Sequence, residues 1–215
     1  MSNLIRLEEV GSDAAAEACA RVLNNGGLAI VPTDTVYGVA ARPDIPGVVE
    51  KVFRAKGRET GKALVVMVAD LDSALELADR EEYEDLCRLG RLWPGALTIV
   101  LKAAPLDWLH GVAPLGTLGI RVPDYAFLLL LLRRTGPLAV TSANMSGNRT
   151  PASFDEIDPN FLERLDDYTA VASDDSGSGK PSTIVELLES KLKVLRAGDI
   201  NRDEIEAAWN GTETV

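Results

Sequence analysis

Two cations, Lys56 and Arg58, flank Gly57, and Lys62 stands four positions beyond Arg58. Cations gathered over so short a stretch can converge on phosphates, arginine through the two parallel donors of its guanidinium fork. The same cations would serve equally to offset the negative end of a helix dipole. Upstream, Pro32-Thr33-Asp34-Thr35-Val36-Tyr37-Gly38 sets hydroxyls and a carboxylate directly after the apolar run Leu28–Val31. A strand edge ending in such a row suits a small polar ligand, although Thr33 and Asp34 could do no more than cap local amides. Thr141-Ser142-Ala143-Asn144-Met145-Ser146-Gly147 places hydroxyls, an amide and a glycine at a second strand exit, where binding groups often lie. It lacks the glycine spacing and GK[ST] element of a Walker A loop, so a decorated turn is the plain alternative. Arg121 is a cation at a strand end just before Pro123, and Pro181-Ser182-Thr183 and Leu195-Arg196-Ala197-Gly198 carry little alone.

The elements that must position these residues follow from periodicity and punctuation. A first helix opens at Gly11-Ser12-Asp13, with Ser12 or Asp13 as its N-cap, and closes at Gly26-Gly27. A second helix starts at Pro46, buries Val49, Val52 and Phe53, and ends in the Lys56-Gly57-Arg58 segment. Strands are expected at 28–31, 64–68, 96–102, 118–122 and 138–141, and a late hairpin at 182–187 and 191–196. Acidic helices fit 71–78 and 81–92, with Trp93-Pro94-Gly95 as a stop. Asp124 should cap a helix holding the leucine run, residues 154–165 read as a polar helix, and Asn201 caps a last helix through Trp209. The stretch 174–180 is a flexible loop by composition. Strands and helices mix without a strict βαβ repeat, which reads as one α/β domain, 1–215, with a twisted mixed sheet.

Composition narrows the chemistry. The chain has 215 residues, 46% hydrophobic and 26% charged, enough for a full core without metal or disulfide staples. The single histidine, His110, looks like a loop residue beside Trp108 and Gly111. It removes every multi-histidine metal site and any Ser-His-Asp centre built on another histidine. Cys19 and Cys87 fall in helical stretches and read as reduced core thiols. Twenty-two basic against thirty-three acidic residues give a net charge of −11, a field that repels polyanions, so tight tRNA binding is not expected. Residues 1–10 have no apolar signal-peptide core, and the longest apolar run, 127–132, is far short of the ~20 residues that span a bilayer. A cytoplasmic protein without membrane contact is expected.

PTDTVYG, KGR, WPGALTIVL, GIRVPD, TSANMSG, PSTIVEL and LRAGDI occur in this order. Together they resemble the threonylcarbamoyl-AMP synthase (YrdC/Sua5) family, over a motif-bearing core of about 16–200, with 201–215 as a helical tail. The resemblance implies a single α/β domain whose twisted sheet lines a large concave cavity. It implies formation of threonylcarbamoyl-adenylate and pyrophosphate from L-threonine, bicarbonate and ATP, with Mg2+ accompanying the ATP and no tightly bound organic cofactor. A separate transferase then places the threonylcarbamoyl group on tRNA. By the same resemblance Lys56, Arg58, Ser142 and Asn144 are the catalytic set. Arg58, Lys62, Ser142, Thr150 and Arg196 contact ATP, and Thr33, Thr35, Tyr37, Arg121, Thr141 and Ser182 surround threonine. Two departures stand out: Met67 where some members carry histidine, and Glu59 where proline usually follows the Lys-x-Arg motif. An RNA-binding module and a related carbamoyl transferase are the competing readings.

Overall fold

Leu28–Val31 is bounded by Gly27 and Pro32, and its four side chains are buried on both faces of a sheet. Alternate residues of a strand point to opposite faces, so Ala29 and Val31 join one core cluster while Leu28 and Ile30 join another. Much of the molecule repeats that logic. The computed structural model describes residues 3–59, 63–175, 177–188 and 191–211, in which one mixed sheet of ten strands carries helices on its faces.

In chain order the strands are β1 (Asn3–Arg6), β2 (Leu28–Val31), β3 (Gly38–Ala41), β4 (Val65–Met67) and β5 (Leu97–Lys102). They continue as β6 (Thr117–Arg121), β7 (Leu138–Ser142), β8 (Tyr168–Ala172), β9 (Thr183–Leu188) and β10 (Lys191–Arg196). The helices are α1 (Leu7–Val10), α2 (Ser12–Asn24), α3 (Val48–Lys56) and α4 (Leu71–Leu77). They are followed by α5 (Tyr83–Leu89), α6 (Ala126–Thr135), α7 (Pro159–Leu162) and α8 (Arg202–Asn210). The strand order is β1-β8-β2-β3-β7-β4-β6-β5-β9-β10. Parallel pairs (β1/β8, β2/β8, β4/β6, β5/β9) are interspersed with antiparallel ones, giving the mixed α/β sheet the sequence indicates. α2 and α6 share one apolar cluster, with Ala15, Cys19 and Leu23 beside Phe127, Leu128 and Leu131. No helix among the described residues is long and apolar enough to cross a membrane.

Several local expectations change. Neither Ser12 nor Asp13 caps α2: its N-cap is Gly11 at φ +80°, with no side-chain cap bond, and Ser12 is already helical. Tyr125, not Asp124, precedes α6, again without a side-chain cap. α3 starts at Val48 after a left-handed Gly47, not at Pro46. The polar helix expected over 154–165 is broken into a 3-10 turn and the four-residue α7. Asp158 accepts from the Asn160 amide there, and Pro159 lies in the first turn. Ile157, Phe161 and Leu165 are nevertheless buried at helical spacing, so the apolar pattern is helical and the break comes at Asp158–Pro159. β1, β3 and β8 were not signalled, being four or five residues each and in β3 mostly glycine and alanine. Cys19 is buried and its thiol is pushed up to about 12 by burial, whereas Cys87 is exposed and is not a core thiol. By contrast β9 and β10 do form the antiparallel hairpin, and Asn201 caps α8 in a full capping box with Glu204.

Candidate active site

The turn after β2 is built by its first threonine. Thr33 Oγ1 accepts from the amides of Thr35 (3.0 Å) and Val36 (3.1 Å) and donates to Val36 O at 2.8 Å. Local capping therefore occupies Thr33. Thr35 Oγ1 lies 3.0 Å from Thr33 Oγ1 and accepts from Arg121 Nη1 at 3.0 Å. Arg121 sits at the end of β6, 3% exposed, and its other donors reach Gly95 O (Nε, 3.0 Å) and Asp34 Oδ1 (Nη2, 2.6 Å). Gly95 comes from the Trp93-Pro94-Gly95 stop, whose Trp93–Pro94 bond is cis. Tyr37 presents its ring while its hydroxyl turns away, accepting from the Ser173 amide at 3.0 Å, and burial pushes it up to about 12.

These groups open on a cavity of about 270 Å3 that runs across the sheet face. Val65 and Met67 of β4, Val140 of β7, Thr98 of β5 and Ile184 of β9 line it, together with Thr33, Thr35, Tyr37, Arg58, Arg121, Thr141, Ser142, Thr150, Ser182 and Arg196. The register sets Met67 beside Arg121 and Val65 beside Val140, so Val65, Met67 and Val140 give the lining an apolar strip. Thr98 Oγ1 and Ser182 Oγ pair at 2.8 Å, both nearly inaccessible to solvent. Ser182 O in turn accepts from Arg196 Nε (3.0 Å) and Nη2 (2.8 Å), which seats the β10 arginine on the rim.

Ten of the residues singled out by sequence thus meet in one cavity. Lys56 and Asn144 do not line it. The Lys56 ammonium, 4% exposed, donates to Ser142 O, to Asn144 O at 2.7 Å and to Asn144 Oδ1 at 3.4 Å. Asn144 donates to Met145 O (3.1 Å) and Asn148 O (2.7 Å). Both residues hold the strand exit from behind, a placement different from the direct phosphate contact the motif suggested. Burial first, then the neighbouring Arg58, pulls Lys56 down to about 8, although carbonyl acceptors favour the ammonium. Lys62 lies outside the described residues.

Electrostatically the cavity is the reverse of the chain. Three arginines and no carboxylate line it among the described residues, although the whole chain carries −11. Arg58 donates to Ala63 O at 3.2 Å and, like Arg196, has no carboxylate partner among the described residues. Burial lowers the pKa of both, and Arg121 adds to the effect on Arg196. Cations drawn partly out of water with no carboxylate beside them favour an anion nearby. Sequence reasoning missed Thr98, an unremarkable threonine in an apolar strand, and the pairing of Asp34 with Arg121, 87 positions apart. It also missed Gly177, where a Cβ would lie 2.5 Å from Thr33 O and Thr35 N. Met67, noted as a departure, does line the cavity.

Comparison with known proteins agrees with this fold. The Sua5/YciO/YrdC family pattern, described as "Telomere recombination", matches residues 21–198. A threonylcarbamoyl-AMP synthase of Bacillus subtilis is 32% identical over 199 residues, 91% of this chain and 57% of that protein. A putative threonylcarbamoyl-AMP synthase of Methanocaldococcus jannaschii is 32% identical over 199 residues, covering 92% of each. The crystal structure of P. abyssi Sua5 complexed with L-threonine superposes with a TM-score of 0.84 at 29% identity, over 97% of this chain and 60% of that one. E. coli YciO, at 21% identity and a TM-score of 0.79, shares the fold. The chain spans about 57–60% of the length of its Bacillus and Pyrococcus relatives. With a pattern match across most of its length and relatives about a third identical over nine-tenths of it, the chain belongs to the Sua5/YciO/YrdC family.

Proposed function

We propose that the protein is a threonylcarbamoyl-AMP synthase, making threonylcarbamoyl-adenylate and pyrophosphate from L-threonine, bicarbonate and ATP. The observation that carries this reading is the gathering of three arginines and a row of hydroxyls in one cavity. Arg58 and Arg196 have no acidic partner among the described residues, Arg196 rests on the Thr98–Ser182 pair, and Arg121 is held beside the hydroxyl of Thr35. The names of the full-length relatives and the L-threonine complex of the Pyrococcus protein support the same assignment.

The threonine amine attacks carbon dioxide with loss of a proton, or bicarbonate with loss of water, to give a carbamate, whose oxygen displaces pyrophosphate from the α-phosphate of ATP. No side chain needs to become covalently attached, so the protein's work is to orient three small reactants and stabilise departing charge. Arg121 takes the amino-acid carboxylate, Arg58 and Arg196 face the phosphates, and the Thr141, Ser142 and Thr150 hydroxyls lie between. Lys56 and Asn144 act from behind by fixing the Ser142 exit. Mg2+ would arrive on the ATP phosphates. Carbamates lose carbon dioxide in water, and the apolar strip of Val65, Met67 and Val140 limits water near the reacting atoms. The product would pass, in the cytoplasm, to a separate transferase acting on tRNA.

Incubation with ATP, Mg2+, L-threonine and bicarbonate should yield the adenylate by mass spectrometry, with pyrophosphate release that stops when threonine is omitted. Pyrophosphate release independent of threonine would point to a different carbamoyl-transfer reaction.

A further inference from the structure

Charge in the cavity is distributed unevenly. Arg58 and Arg196 meet no carboxylate among the described residues, whereas Arg121 has Asp34 against it at 2.6 Å, with the two side chains 3% and 12% exposed. Asp34 is held there from several sides. Its carbonyl accepts from the Ser178 amide at 3.1 Å, and Thr35 O accepts from the Gly179 amide at 2.8 Å. Gly177 approaches the turn so closely that even a methyl group would strike its backbone. Thr35 Oγ1 and Gly95 O meanwhile fix the remaining edges of the guanidinium.

We propose that Asp34 is a positioning residue that sets the affinity of the amino-acid end of the cavity: it fixes the plane of Arg121 and, by neutralising it, deliberately weakens its hold on a carboxylate. The inference rests on the reading above, in which Arg121 receives the carboxylate of threonine. A guanidinium has five N–H donors, and three are engaged by Gly95, Thr35 and Asp34. An incoming carboxylate therefore finds two donors and a like charge beyond them, in a site where partial desolvation strengthens both attraction and repulsion. Such a site binds its substrate loosely. Loose ground-state binding has a kinetic use, because binding that is equally tight in ground and transition states adds nothing to turnover once the substrate saturates. The product keeps the same carboxylate and must leave the same arginine.

The test compares the full wild-type chain with Asp34→Asn, which keeps the Oδ1 acceptor and removes the charge. Binding of L-threonine and of L-threoninamide, which has no carboxylate, is measured by calorimetry. Asp34→Asn should bind L-threonine at least about tenfold more tightly, equivalent to about 1.4 kcal/mol, while L-threoninamide binding changes little. Its KM for threonine should fall without a matching rise in kcat, a split that a scaffold role would not produce. Unchanged or weaker threonine binding by folded Asp34→Asn overturns the proposal, as does equal tightening of both ligands. Should Asp34→Asn not fold, Asp34→Ser provides the same neutralisation and is judged by the same criterion. A wild-type chain that binds no threonine would refute the role of Arg121 itself, a result distinct from wild-type binding that neutralising Asp34 leaves unaltered.

Discussion

Lys56 and Arg58 are one residue apart yet meet different surroundings, and helix geometry gives the reason. Residues i and i+2 on a helix do not share a face, and the left-handed Gly57 at φ +58° turns the chain between them. Arg58 reaches the cavity while Lys56 goes under the strand exit and clamps the carbonyls of Ser142 and Asn144. Arg58→Ala should melt within a few degrees of wild type and lose about 10²–10³ in turnover, as for removal of a donor aimed at developing charge. Arg58→Lys should fail similarly, because a point charge lacks the fork. Lys56→Ala should instead lose stability, by at least about 1–3 kcal/mol for each buried acceptor left unsatisfied, as read from urea unfolding. Wild-type stability in Lys56→Ala would mean the clamp does not exist. Lys56 also predicts a pH dependence. Its folded value of about 8 lies below the ordinary 10.5, so between those values the unfolded chain binds more protons and stability rises with pH. The stability of wild type relative to Lys56→Met should therefore increase from pH 8 to 10.5 and be flat below 8. The types of these residues were legible in the sequence. Their division into a clamp and a cavity cation was not, because it depends on one glycine's φ and on a strand exit 86 positions away.

Elements built on local signals were the readable ones. β2 follows from four apolar residues between Gly27 and Pro32, and α8 from the Asn201–Glu204 capping box, which satisfies two amides reciprocally. Elements held by distant partners gave no such signal. β3 is Gly-Val-Ala-Ala and exists because β2 and β7 flank it. The false caps at Ser12 and Asp124 show the same limit, since a capping residue type is only an offer that the backbone need not accept. The loop carrying residues 177–179 was identified from composition, but its contact with the 33–35 turn was not. That contact carries a prediction. Gly177→Ala would place a methyl 2.5 Å from Thr33 O and Thr35 N, an overpacking expected to cost about 1–3 kcal/mol. It should also raise KM for threonine, since the displaced turn carries both Asp34 and Thr35. Ser178→Ala, at an exposed side chain in the same loop, should do neither; parallel melts and kinetics of the two variants check this.

At the scale of the whole molecule, composition and field are at odds by design of the surface. A chain of net charge −11 encloses a cavity lined by three arginines, so long-range repulsion opposes a polyanion while short-range attraction remains for a small one. The isolated protein should bind tRNA no more tightly than the non-specific range of about 10⁻⁴–10⁻⁶ M at physiological salt, measured over a salt series; a nanomolar complex would contradict this. Fold class was readable from mixed strands and helices, but the strand order was not, because parallel partners lie far apart in sequence and leave no local trace. One of those partners has a consequence for synthesis. β8, at residues 168–172, lies between β1 and β2, which the ribosome delivers first. At ~5–20 residues per second, roughly 140 residues of translation, on the order of ten seconds, separate the emergence of β2 from that of its parallel neighbour. During that interval the nascent chain offers an apolar strand with one unpaired edge, a ready binding site for chaperones or for a second nascent chain on the same polysome.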